Sequence, residues 1–186
     1  MALHIVHFIG PINHSSVSTV RNLCLQALQN GATELELHLS TEGGNMTAGF
    51  ALYFFLKSLP LSLTTYNVGS VESVGVIIFL AGEKRFACPR TRFLVHPLHW
   101  GFGALVAADH SRMTEWRNCL DFDAERYACI FEEVTHASGG REDIRPNLFG
   151  NARIFDAEQA LESGIIHAAM QARLPEKGGT THWWNG

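Results

Sequence analysis

A chain of 186 residues, 46% hydrophobic and with a net charge of −4, can bury the core of one ordinary domain and carries no basic face for nucleic acid or an anionic membrane. Its apolar runs are too short to span a bilayer, and residues 1–10 read as a strand without the basic region of a signal peptide, so the expectation is a cytoplasmic protein. Four cysteines, Cys24, Cys88, Cys119 and Cys129, lack CxxC spacing and ten histidines form no recognisable ligand set; neither a disulfide framework nor a metal or other cofactor is expected.

In chain order, residues 5–9 form a short apolar strand stopped by Gly10 and Pro11. Ser15 or Ser16 caps the next helix, in which Val17, Val20, Cys24, Ala27 and Leu28 recur at helical spacing, and Asn30-Gly31 supplies a left-handed stop. Residues 34–39 alternate with period two and run into Gly43-Gly44, after which Met46, Phe50, Tyr53, Phe54 and Leu56 mark a helix over 46–57. Strand, glycines and helix start together make a ligand loop. Residues 61–66 give a further strand, then Val68-Gly69-Ser70-Val71-Glu72-Ser73-Val74-Gly75 reads as a turn of small residues leading into a helix over 73–81. A serine at such a helix start lies where unpartnered backbone N–H groups can face an oxyanion, although the octapeptide alone also fits an N-cap.

Residues 92–96 form a strand whose last residue is His96. Alternating strands and helices imply mostly parallel pairing with functional loops at the strands' carboxyl ends, which brings Gly43-Gly44, Ser73 and His96 near one another. Beyond glycine-rich residues 100–104, residues 107–137 read as one helix of about 45 Å. Its apolar positions, Met113, Trp116, Leu120, Tyr127, Ile130, Phe131 and Val134, would need cover from another chain. Ser138-Gly139-Gly140 ends it. Asp156 starts a short helix with Gln159 placed for a capping box and Gly164 as its stop. The chain is expected to be one domain over 1–174, with a loose tail over 175–186.

Gly43-Gly44, Thr47-Ala48-Gly49, Gly69, Ser73, Gly75, Ala81-Gly82, Arg85-Phe86, Pro89 and His96 keep the order and approximate spacing of a known pattern. On these motifs the chain resembles the Clp protease proteolytic subunit family, serine peptidases, from about residue 9 to residue 170. The resemblance implies an α/β, crotonase-like spiral of strand-helix units in which residues 97–140 form a projecting handle. It implies Ser73 as nucleophile, His96 as general base, an oxyanion hole from the backbone N–H groups of Gly44 and Val74, and an extended peptide held between Gly43 with Asn45 on one side and Gly101, Phe102 and Gly103 on the other. Ser70 does not match the nucleophile position, and His99 reads as a loop histidine.

The family's third catalytic residue is an aspartate; its position falls on Asn151, or on Ala152 if no residue is inserted. Asp156 is nearby but placed for capping. Glu42 and Glu72 replace a proline and an alanine of the family, and a carboxylate at 72 turned toward His96 would favour the charged imidazole. The resemblance further implies a homo-oligomeric ring, possibly two stacked rings, acting on peptides or unfolded polypeptides without a cofactor. Glu36 and His38 stand where the family shows aromatic residues at its ATPase-docking pocket, and the chain starts almost at its first core strand; both argue against pairing with an AAA-type unfoldase. The rival readings are an impaired or inactive ring subunit and a crotonase-type acyl-CoA enzyme.

Overall fold

The structure, a computed structural model, describes residues 2–99, 107–175 and 179–185. Its frame starts from two alternating segments: β1 (Leu3–Ile9) and β2 (Glu34–Thr41) pair in parallel, with Val6 opposite Leu37 and Phe8 opposite Leu39. Period two then puts Val6, Phe8, Leu37 and Leu39, all buried, on one face of the sheet. The crossover helix α1 (His14–Gln29) is capped by Asn13, whose side chain accepts from the Ser16 N–H at 2.9 Å while Ser16 Oγ accepts from the Asn13 N–H at 2.9 Å. The cap falls on Asn13 rather than on Ser15 or Ser16 because this reciprocal pair satisfies two backbone donors at once. Gly31, at φ 79, provides the left-handed stop.

Helix α2 (Met46–Lys57) has the limits its apolar pattern predicts and is capped by Asn45, which accepts from the Ala48 N–H at 2.8 Å. It lies close against α3 (Val74–Phe79): a Cβ at Gly49 would stand 2.3 Å from Val74 Cγ2. The strand between them, β3 (Ser62–Glu72), runs on past Tyr66 where the sequence predicts a turn. It does so because it forks. Its first half pairs with β4 (Lys84–Ala87), Thr64 to Lys84 and Asn67 to Ala87, and its end pairs with β5 (Arg92–Val95), Ser70 to Arg92 and Glu72 to Leu94. Fully buried Asn67 closes the fork by donating to the Arg92 carbonyl at 2.8 Å and accepting from the Gly69 N–H at 3.0 Å. A side chain at Gly69 would strike Ser40 Oγ at 2.6 Å, the atom that accepts from the Ser70 N–H across a register shift in β2.

The sheet order is β6-β5-β3-β2-β1-β8, with β4 and then β7 (Ala168–Ala169) branching from β3. Among the described residues only β6 (Arg153–Asp156) is antiparallel, to β5. The tail does not lie loose: Gly179–Asn185 forms β8, parallel to β1 with Leu3 opposite Gly179. Without it β1 would be an open edge of unpaired N–H and C=O groups.

Helix α4 (His110–Ala137), 28 residues and about 42 Å long, begins at the Asp109 cap and divides at Phe122. Residues 110–122 include none that is buried, whereas Ala124, Tyr127, Ala128, Ile130, Phe131 and Thr135 are. The expectation that Tyr127, Ile130 and Phe131 need another chain is therefore corrected: their own domain covers them. Exposure is concentrated at Met113 and Phe122. Arg85 ties the end of this helix to the sheet, its buried guanidinium donating to Ser138 Oγ at 2.6 Å and to the carbonyls of Gly82, Gly164 and Ile165. Burial lowers its pKa to about 10, still charged at neutral pH. After α5 (Arg145–Phe149), α6 (Ala157–Glu162) opens on the expected capping box of Asp156 and Gln159 and stops at Gly164, φ 72.

Candidate active site

The fork of β3 ends at Ser73. Its N–H donates to the Leu94 carbonyl of β5 at 2.8 Å, so the residue is still held on the sheet, and its carbonyl accepts from the Val76 N–H at 3.0 Å, so the helix has already begun. Satisfying both in one residue turns the chain sharply: Ser73 has φ 54 and ψ −131, a conformation that L side chains rarely adopt. The hydroxyl makes no cap bond to α3, and the N-cap alternative therefore does not account for the serine. Strand, strained serine and helix form an elbow that presents the hydroxyl beside the first turn of α3.

Gly43 and Gly44 form the facing wall. At Gly43, φ 87, a Cβ would meet Ser73 Cβ at 2.6 Å, so only glycine lets this loop lie against the serine. At Gly44, φ 143, a Cβ would stand 2.2 Å from the Ile12 carbonyl. That carbonyl accepts from the Asn45 N–H and the Ile12 N–H donates to the Gly43 carbonyl, both at 2.8 Å. The bridge uses the neighbours' groups, so the N–H of Gly44 itself points to the opposite side of the loop, away from Ile12. Val74 N–H, the first of its helix, has no intrahelical acceptor. The two candidate oxyanion donors are thus backbone N–H groups left over by the local structure. Asn45 is exposed beside them, its side chain spent on the α2 cap; Gly101, Phe102 and Gly103 lie outside the described residues.

His96 follows β5 directly, beside the strand end that leads into Ser73. It is half-buried, and its Nδ1 lies 2.9 Å from the Pro97 carbonyl. A carbonyl only accepts, so Nδ1 carries the proton and Nε2 is the basic nitrogen. No hydrogen bond joins Nε2 to Ser73 Oγ among those the structure shows; catalytic bonds of this kind tighten in the substrate complex. His99 stacks loosely on His96, ring centroids 5.8 Å apart.

The third position is not completed by a side chain. Asn151 is exposed, and its carbonyl accepts from Asn147 Nδ2 at 2.9 Å; among the described residues its amide makes no bond to His96. Asp156 pairs with Arg92 at the far end of β5 and spends its carboxylate on the Glu158 and Gln159 N–H groups. Glu72 turns to Arg92 at 2.7 Å rather than to His96.

Two supporting residues escape a reading of the sequence. Buried Thr41 accepts the Gly43 N–H on its Oγ1 at 3.0 Å, and fully buried Tyr127 donates its hydroxyl to the Ser73 carbonyl at 2.9 Å. Only a tyrosine set among apolar helical positions hints at the second, because a buried phenol needs an acceptor. Among the described residues, no group of three or more His, Cys, Asp or Glu side chains is arranged to hold a metal ion, and no helix is long and apolar enough to cross a membrane.

The model of a family described as Clp protease matches residues 2–173. The chain is 30% identical over 163 residues to ATP-dependent Clp protease proteolytic subunit 1 of Leifsonia xyli subsp. xyli, covering 86% of this chain and 79% of that protein. It is 30% identical over 165 residues to proteolytic subunit 2 of Corynebacterium diphtheriae, covering 82% and 77%, and 26% identical over 164 residues to the proteolytic subunit of Bdellovibrio bacteriovorus, covering 87% and 75%.

Proposed function

The chain belongs to the Clp protease family, and from that premise we propose that it is a serine endopeptidase acting on peptides or unfolded polypeptides inside a homo-oligomeric ring. The observation that carries the proposal is the strained Ser73, with a hydroxyl that caps nothing beside backbone N–H groups that bond nothing in their own elements.

Ser73 Oγ attacks the scissile carbonyl while His96 Nε2 takes its proton. The Pro97 carbonyl holds the proton on Nδ1 and so keeps Nε2 free. The Gly44 and Val74 N–H groups receive the oxyanion, each donor contributing on the order of 3 kcal/mol to the transition state. His96 then protonates the leaving amine, and water, deprotonated by the same imidazole, releases the acyl group from Ser73. An extended substrate lies along Gly43 and Asn45. The family's third position falls on Asn151 or Ala152, neither of which supplies a carboxylate. In a serine-protease triad, aspartate to asparagine costs about 10⁴ in kcat, so turnover slower than that of a full triad is expected.

A fluorophosphonate probe tests this directly. Labelling is expected on Ser73 and on no other serine, and Ser73→Ala is expected to abolish labelling and peptide cleavage with an unchanged circular dichroism spectrum. A folded wild-type protein that takes no label refutes the peptidase and points to an inactive ring subunit.

A further inference from the structure

We propose that Tyr127 is a positioning residue for the elbow, setting the direction of the Val74 N–H through the Ser73 carbonyl; this rests on the peptidase reading of Ser73. Backbone in the conformation of Ser73, φ 54 and ψ −131, is costly and persists only where its surroundings over-determine it. Two of its three bonds come with the local fold: Leu94 of the adjacent strand takes its N–H, and Val76 of the following turn gives to its carbonyl. Tyr127 is different. It comes from α4, 54 residues further on, and reaches the carbonyl at 2.9 Å.

The peptide joining Ser73 to Val74 is planar, so its C=O and N–H point in opposite directions. Fixing the carbonyl oxygen with two donors, Val76 N–H on one lone pair and Tyr127 on the other, fixes the orientation of the Val74 N–H as well. That N–H is the candidate oxyanion donor next to the nucleophile. A single donor would leave the peptide free to rock about its long axis, and oxyanion stabilisation depends on donors already aimed where charge develops. Tyr127 suits this role because it is fully buried, so water cannot replace the bond, and because its ring packs in the half of α4 anchored on the domain core. Burial also raises the phenol well above its usual range, so it remains a donor at any working pH.

Tyr127→Phe removes the oxygen and keeps the ring. With active sites titrated, kcat on a short fluorogenic peptide is expected to fall about tenfold at little-changed KM, and a peptide boronate to bind weaker by a similar factor, because the loss falls on the transition state. Placing 3-fluorotyrosine at 127, which keeps the hydroxyl, is expected to restore both. Hydrogen exchange over residues 73–76 is expected to quicken in Tyr127→Phe and not in the fluorinated protein. If wild type and Tyr127→Phe acylate at equal rates, Tyr127 has no positioning role and the peptidase stands. If the folded wild type never acylates, the peptidase reading fails, and exchange unchanged by Tyr127→Phe then overturns the hold on the elbow too. Should Tyr127→Phe fail to fold, 4-fluorophenylalanine at 127, which fills the space of the hydroxyl but cannot donate, takes its place with the same readouts; acylation and hydrogen exchange equal to those of the wild type overturn the proposal.

Discussion

Between β5 and β6 the antiparallel register sets Val95 against Arg153. The paired residues end there; carried one step beyond them, the same register would set His96 against Ala152, and a second step would set Pro97 against Asn151. An aspartate at 152 would therefore start from the same face and the same rung as the imidazole, whereas one at 151 starts a rung beyond, on the opposite face. Ala152→Asp is expected to raise kcat/KM at least tenfold and Asn151→Asp to raise it less, with kcat/KM on a fluorogenic peptide as the measurement. A larger gain at 151 would show that the loop leaves the ladder before His96. The sequence could not choose between these positions, because the choice depends on where a gap falls and no local period marks a gap. The placement of Ser73 and His96 directly after strands was legible from their motifs; the strain at Ser73, the Pro97 carbonyl and the Tyr127 hydroxyl were not, since backbone conformation and contacts 54 residues apart leave no local trace.

Elements were read well where one period dominates and poorly where pairing alone decides. The helix over 46–57 was visible from its apolar spacing, but β4, β6 and β7 are too short, at four, four and two residues, to show a period. The extension of β3 through Gly69 also defied local reading, because glycine signals a turn unless a close neighbour such as Ser40 excludes every larger residue. Strand β8 is the clearest case. Its sequence opens on a glycine and two threonines and reads as a tail, yet it lies along β1, and His182 Nε2 meets His4 Nδ1 at 3.2 Å. Removing residues 176–186 should uncover the β1 edge, lower Tm by several degrees and promote aggregation. Thermal melts with light scattering measure both, and an unaltered melt would mean that β8 adds nothing to the sheet.

At the scale of the molecule, acid is expected to unfold the protein through histidines whose charged forms the fold disfavours. Burial lowers His7 to about 4, with His38 adding to the effect and Glu36 opposing it. Burial likewise lowers His167, helped by Arg85, and His182, helped by His4. The His167 case has a visible cause besides burial: its Nδ1 accepts the Arg85 backbone N–H at 3.0 Å, a bond that a proton on Nδ1 would abolish. All three bind protons more tightly in the unfolded chain, whose histidines titrate near 6.5. Stability is then full above about pH 6.5 and falls as the pH drops toward 4, by about 1–3 kcal/mol for His7 alone. His7→Gln is expected to flatten the dependence of Tm on pH over that interval, whatever it does to Tm at neutrality. A slope as steep as that of the wild type would exclude His7 as the main contributor.

Assembly is the property that most depends on how α4 divides. From His110 to Phe122 the helix buries no residue on its own domain, and Met113 and Phe122 stand 54% and 66% exposed. From Ala124 onward it is part of the core, with Phe131 fully buried and its ring 6.4 Å from that of Phe155. Charge introduced in the two halves should therefore act differently. Phe122→Glu or Met113→Glu places a carboxylate where the isolated chain is already wet, so the fold should survive while any helix-to-helix contact between copies loses apolar area and gains a charge to desolvate. The assembled mass is expected to fall. Phe131→Glu buries a charge against the core and should unfold the chain, a loss of at least about 3 kcal/mol, before assembly becomes a question. Light scattering and circular dichroism on the same samples separate the outcomes: reduced mass with a native spectrum for the outer substitutions, a lost spectrum for Phe131→Glu. A wild type that is monomeric at every concentration tested would remove the ring from the proposed function. An unchanged mass in Phe122→Glu and Met113→Glu would move the interface off the outer half of α4.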